Sequence, residues 1–223
     1  MKRILFGLAA STLAIAAAAP ASAAIFIGVS INGGPITQVA LDGGTGSVNY
    51  NVTNGGVFFN TNGTGYPLLG QPNLLTQSVN VGQFGANGGT VSIYITQTDL
   101  NAFAGALTST FTSNTIANAT VALSTYYSAA NALFGGTLLQ SANFSGTGTF
   151  AGVNPLTLNL PFSETVRYDL VFGPGAGNFN GTANLTMVAV PEPATWGLMI
   201  LGFAGLGYTV RRRNKVSMRV RYA

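Results

Sequence analysis

The sequence predicts a mainly β protein: a single antiparallel β-sandwich or jelly-roll-like body, with one apolar segment before it and another after it. Three observations predict this class. From Ala24 onward, apolar and small polar residues alternate in short runs, the period of a strand with one buried face. The runs are separated by Asn-Gly, Asp-Gly and Gly-Pro punctuation, which tolerates positive φ and closes hairpins. The chain has no cysteine, so the fold must rest on packing and sheet hydrogen bonds instead of disulfides.

Met1 to Ala23 reads as a secretory signal peptide. Lys2 and Arg3 precede an apolar stretch from Ile4 to Ala19, and Ala21-Ser22-Ala23 puts small residues at both cleavage-defining positions, so cleavage is expected after Ala23. Such a segment addresses the chain to the Sec export machinery. Residues 24–189 are the exported β-rich domain, with strands expected at Ala24 to Ile31, Gly46 to Thr53, Val91 to Gln97, Ala119 to Tyr127, Leu156 to Leu160, Val166 to Phe172 and Asn184 to Val190. In Val91 to Gln97 the residues Val91, Ile93 and Ile95 share one face, and Ser92, Tyr94 and Thr96 the other. Turns are expected at Asn32-Gly33, Asp42-Gly43, Asn54-Gly55, Asn62-Gly63, Asn87-Gly88, Gly135-Gly136 and Gly173-Pro174-Gly175. Gly55 to Pro72 is either a long exposed loop or, the reading preferred here, an edge strand burying Val57, Phe58 and Phe59. The only helix expected in the body is a turn or two near Asp99 to Ala104, after a Thr98 cap. No long repeat is visible, which argues against a solenoid or propeller.

Charge is scarce, at 6% of residues, and the basic groups sit at the ends of the chain. Between Ala24 and Val190, Asp42, Asp99, Glu164 and Asp169 stand against Arg167 alone, a net charge of −3. The pI of 9.6 therefore speaks for membrane topology and gives no support to nucleic-acid binding. The absence of histidine and cysteine removes the usual general base and the commonest metal ligands. No catalytic residue, cofactor or metal is expected, and the body is not expected to be an enzyme. Glu164 and Asp169, five apart in one strand, face opposite sides and cannot pair for glycoside hydrolysis; an exported hydrolase is the remote alternative. Asp42 is expected to cap its Gly-rich turn, Asp99 to start a helical turn, and Arg167 with Asp169 to form a surface ion pair. Tyr126, Tyr127, Tyr94 and Tyr66 could each stack on a sugar ring or serve as half-buried strand tyrosines. A neutral Thr/Asn/Gly surface also predicts self-association, since little repulsion opposes edge pairing.

Val190 to Lys215 is the most legible stretch. Pro191, Glu192 and Pro193 block both ladder and helix, so an exposed hinge is expected. An uncharged run from Trp196 to Val210 follows, then the basic cluster Arg211, Arg212, Arg213 and Lys215. About fifteen residues rise roughly 22 Å as a helix, so a transmembrane helix here needs Ala194, Thr195 and snorkelling arginines to cross. Gly202, Gly205 and Gly207 mark either a helix-packing face or simply a helix rich in small residues. Residues 190–215 form the tail unit, and 216–223 a short cytoplasmic extension.

This order resembles the PEP-CTERM sorting tail of Gram-negative bacteria, in the subclass with a Trp just after the Pro-Glu-Pro. The resemblance rests on Pro191, Glu192, Pro193, Trp196, the Gly-rich apolar run and Arg211 to Arg213. It implies recognition by an exosortase, a multi-pass membrane transpeptidase that cuts near the Pro-Glu-Pro. It further implies an inner-membrane-anchored precursor and a final place at the cell surface or outside the cell. The family's association with exopolysaccharide production suggests the matrix polysaccharide as a partner by analogy. The expected role is a non-enzymatic structural or interaction protein of the cell surface or biofilm matrix; the alternative is a carbohydrate-binding module.

Overall fold

A computed structural model of the chain describes residues 23–188 and 193–213, apart from positions 55, 84 and 104. Ala21 and the rest of the expected signal segment before Ala23, together with Pro191, Glu192 and Lys215, lie outside the described residues. Twelve strands and one helix are described: β1 (Ile25–Ile31), β2 (Thr37–Leu41), β3 (Ser47–Asn54), β4 (Val57–Thr64), β5 (Leu74–Gln83), β6 (Gly89–Leu100), β7 (Ala106–Ala117), β8 (Ala119–Ser128), β9 (Thr137–Phe144), β10 (Gly148–Pro155), β11 (Phe162–Phe172), β12 (Gly177–Val188) and α1 (Pro193–Arg213). The strands form two six-stranded sheets, one ordered β2-β1-β6-β11-β8-β9 and the other β10-β7-β12-β5-β4-β3. Every pairing is antiparallel, so the sandwich expected from the alternation is the fold observed.

The core lies between the sheets. Ile25, Ile27, Ile93, Ile95 and Val166 come from the first sheet and meet Phe59, Leu74, Val81, Phe111 and Phe179 from the second. Alternation places them there, because one face of each strand must leave water. Polar ties also cross the gap. The Thr76 hydroxyl of β5 bonds the Tyr168 hydroxyl of β11 and donates to the Ala183 carbonyl of β12 at 2.6 Å. Ser109 of β7 and Thr125 of β8 share a hydrogen bond of 2.6 Å. Burial pushes the Tyr168 phenol well above its ordinary value, so it stays neutral, opposed only in part by its bonds to Thr76 and Ala183.

The turns follow the residue chemistry. Asn32 (φ 50°) and Gly33 (φ 71°) are both left-handed, and the Gly34 N–H donates to the Ile31 carbonyl at 3.0 Å, a geometry that Asn-Gly adopts at low cost. Asp42 caps its turn as expected: its carboxylate accepts from Gly46 N–H at 2.8 Å and also from Ile25 N–H at 3.0 Å.

Five expectations are corrected. Asn62-Gly63 makes no turn, because it lies within β4 and pairs with Asn49 and Val48 of β3. No helix forms over the described residues from Asp99 to Phe103, because Asp99 belongs to β6 and sits at φ 56°, a backbone state that cannot open a right-handed helix. Leu156 to Leu160 is not a strand. Leu156 and Leu158 still pack on the core, but Pro155 and Pro161 bracket the segment and limit its ladder bonds. Val57 to Phe59 lies in β4, which is internal; β3 is the edge. Finally, α1 forms, yet among the described residues no helix is long and apolar enough to cross a membrane. Its 21 residues would rise about 31 Å.

Candidate functional site

The outer face of the first sheet carries the one ion pair among the described residues of the body, and it is half-buried. Arg167 and Asp169, two apart on β11, point to the same side, with Nε and Oδ2 2.7 Å apart. The contact is a close ion pair and not an aligned hydrogen bond. Ser92 on β6 donates to the other Asp169 oxygen at 2.5 Å. The guanidinium lies over the Tyr94 ring, 5.1 Å from its centroid, and Tyr94 in turn meets Phe134 at 5.9 Å. Burial pulls the Arg167 group down, but Asp169, Tyr94 and Tyr126 together hold it above its ordinary value, so the cation persists at any ordinary pH. Beside the pair, Asp169, Asn143, Phe144, Thr120 and Val171 line an open cavity of about 340 Å³.

The four tyrosines picked out as sugar platforms do not converge. Tyr94 is buried beneath Arg167 and Phe134. Tyr126 is half-buried beside them, one strand over from Thr165. Tyr127 packs against the main core, and Tyr66 against the small cluster of Ala23, Leu100 and Phe162. The acids do not converge on a metal site either: no group of three or more potential metal-binding His, Cys, Asp or Glu residues occurs among the described residues. Asp99 exchanges hydrogen bonds with Asn131, its N–H donating to Oδ1 at 2.9 Å and its carboxylate accepting from Nδ2 at 2.8 Å.

Glu164 is the exception that residue type alone did not single out. It faces inward on β11, in the row Ile25, Gln97, Glu164, Tyr127 across four strands. It is fully buried, and neither carboxyl oxygen has a hydrogen-bond partner. The neighbouring Gln97 uses its Oε1 to accept from Tyr66 N–H at 3.2 Å, while its Nε2 is unpaired. Burial pushes the Glu164 carboxyl up to about 8, since an unpaired ion in a dry interior is strongly disfavoured. Its opposite orientation to Asp169 was readable from strand parity; its place at the inner face was set by sheet stacking.

The outer face of the second sheet has a different character. Asn51, Asn60, Asn80 and Asn180 stand in register across β3, β4, β5 and β12, and Thr115 of β7 continues the row. Asn114 Nδ2 donates to Asn180 Oδ1 at 3.1 Å. Composition shows that asparagine is abundant; only the pairing register brings four into one line.

The third feature is the tail. Pro193 opens α1, where its missing N–H costs nothing. Trp196 is exposed, as are Leu198, Ile200, Leu201, Phe203 and Leu206, with Leu198 71% accessible. Gly202, Gly205 and Gly207 face open space, where an added Cβ would meet nothing among the described residues. Arg211 is exposed at the end of the run. Residues 189–213 match the PEP-CTERM protein-sorting motif. The tail is a PEP-CTERM sorting segment. No curated protein matches the chain. Among solved structures, TmCBM61 in complex with beta-1,4-galactotriose is 10% identical, with a TM-score of 0.34 over 49% of this chain and 71% of that one. The Arthrobacter globiformis T6 isomalto-dextranase complexed with panose is 14% identical, with a TM-score of 0.19 over 62% of this chain and 23% of that one.

Proposed function

We propose that this chain is an exported, non-enzymatic interaction protein of the cell surface or extracellular matrix, processed by an exosortase at its PEP-CTERM tail. The observation that carries this reading is the sorting motif at 189–213, which implies export and exosortase processing. The chemistry of the body supports the non-enzymatic part: Asp42 and Glu164 are buried, Arg167 and Asp169 hold each other, and Asp99 is bonded to Asn131. An apolar helix with no cover of its own needs an apolar host, and a processing enzyme resident in the inner membrane supplies one during a transient membrane association. Intact mass and C-terminal peptide mapping of the protein from its host, beside Glu192→Ala, tests the proposal. Loss of everything after the Pro-Glu-Pro, blocked by the substitution, is expected. A natural chain ending at Ala223 in membrane fractions would overturn it.

A second reading, binding of the matrix polysaccharide, is favoured by Arg167, which has the half-buried Tyr126 near it and pairs with Asp169 at the wall of the cavity. An aromatic edge and a fixed cation suit a sugar ring and its hydroxyl or carboxylate groups. Electrophoresis through gels containing the host polysaccharide should retard the natural chain, and Arg167→Ala or Tyr126→Ala should restore its mobility. Equal mobility with and without polysaccharide would remove this reading.

A further inference from the structure

Each sheet has two edges: β2 and β9 on one, β10 and β3 on the other. An edge strand presents unpaired backbone groups that invite another chain unless something blunts it. Three of the four are blunted. The pairing of β2 is five residues long at most and carries a register shift at Ile27/Gly28, with Pro35 just ahead of the strand. The pairing of β9 with β8 shifts at Thr125/Tyr126. Gln140 of β9 donates to Asn154 of β10 at 2.7 Å, and Asn154 donates back to the Leu139 carbonyl at 3.3 Å, so these two edges cover each other. β10 also ends in Pro155.

β3 has none of these devices. Its register with β4 runs unbroken from Ser47 opposite Thr64 to Asn54 opposite Val57. It holds no proline and no charge, and Asn49, Asn51, Val52, Thr53 and Asn54 are exposed. It is also where the asparagine row reaches the margin of the sheet, at Asn51.

We propose that β3 is a self-association edge, pairing antiparallel with β3 of a second copy about a two-fold axis at Asn51. A two-fold contact is self-complementary by necessity, and this strand satisfies the condition on both faces. Asn51 meets its own copy and carries the asparagine row from one sheet into the next; amide ladders of this kind stabilise stacked strands. On either side Asn49 falls opposite Thr53. On the other face Tyr50 falls opposite Val52, an aromatic and β-branched pair, which covers a valine now 37% exposed. The occupant is a second copy because the edge offers no charge for an acidic or basic peptide to match. The exposed charge near neutrality over the rest of the body opposes such a dimer little. Two six-stranded sheets then become one continuous sheet. The contact is independent of tail processing.

The absence of native cysteine makes the test clean. In the full chain, Asn51→Cys alone should give a covalent dimer on mild oxidation or with a short bis-maleimide. Asn49→Cys and Thr53→Cys should each give little alone and a dimer when mixed. Val153→Cys, exposed on β10, should give only background. No dimer from Asn51→Cys, or equal yields from Asn51→Cys and Val153→Cys, overturns the proposal; self-linking at Asn49→Cys overturns the Asn51-centred register. Separately, Thr53→Lys should shift sedimentation toward monomer with an unchanged circular dichroism spectrum. Association through α1 would leave that shift absent and would overturn the assignment to β3.

Discussion

Phenylalanine lives under two rules in this molecule. Phe59, Phe111 and Phe179 are essentially inaccessible between the sheets, whereas Phe203, in α1, is 67% exposed among leucines equally uncovered. The body buries a continuous aromatic and aliphatic core between its sheets and pairs or buries its ions. The tail is a readable segment that the body does not cover, and what it contributes is an address, with no support to the fold.

The sharpest way to break that contrast is to truncate both kinds of phenylalanine. Phe179 packs edge-on to Tyr168 at 6.0 Å, and Phe179→Ala should cost about 3–5 kcal/mol, read as a lower urea midpoint. Phe203→Ala should leave that midpoint within about 0.5 kcal/mol. Comparable losses from the two would show that the tail is part of the fold.

A second large effect tests how tightly the body is closed. Glu164 stays neutral when folded up to about 8, while in the unfolded chain it ionises near 4.5. Between those values the unfolded state releases a proton that the folded state keeps. Stability should therefore fall as pH rises through this window, by up to about 1.4 kcal/mol per pH unit, and level off above it. Glu164→Gln should flatten the profile and leave the variant more stable than the natural chain above the window. Thermal midpoints on both sides of the window read this directly, and an unchanged slope would mean that water reaches the carboxyl.

Smaller effects sharpen the picture. Thr76→Val removes the hydroxyl that serves Tyr168, Ala183 N–H and Ala183 C=O, and should cost about 1–3 kcal/mol in chemical denaturation because those buried groups lose a partner. Arg167→Ala breaks an ion pair about a third exposed and should change stability by no more than about 1 kcal/mol. A large loss there would make the Arg167 group a structural support instead of a binding surface.

Legibility differed between the same two regions. The sorting tail could be read because its signal is contiguous: Pro191 to Pro193, the apolar run and Arg211 to Arg213 sit within one stretch. Some strands were legible too, Val91 to Gln97 most clearly, because alternation is a local property; β2, β5, β7, β9 and β10 were not among those expected. Leu156 to Leu160 alternates just as well and makes no ladder, since the presence of a pairing partner is not written in the segment itself. Val57 to Phe59 was readable as a strand but not as an internal one. The asparagine row was invisible for a related reason: Asn51, Asn60, Asn80 and Asn180 come together only through three registers.

The sequence by itself determined the strand period, the turn sites at Asn32-Gly33 and Asp42-Gly43, the scarcity of charge and the sorting address. Backbone sterics and side-chain alternation act over a few residues, so these can be read from short stretches. Tertiary structure alone decided that β3 is the bare edge, that Glu164 faces the dry interior, and that Arg167 stacks on Tyr94. Each of these depends on which strands become neighbours. That choice is made by burying apolar surface across long chain separations, where no single stretch carries the information.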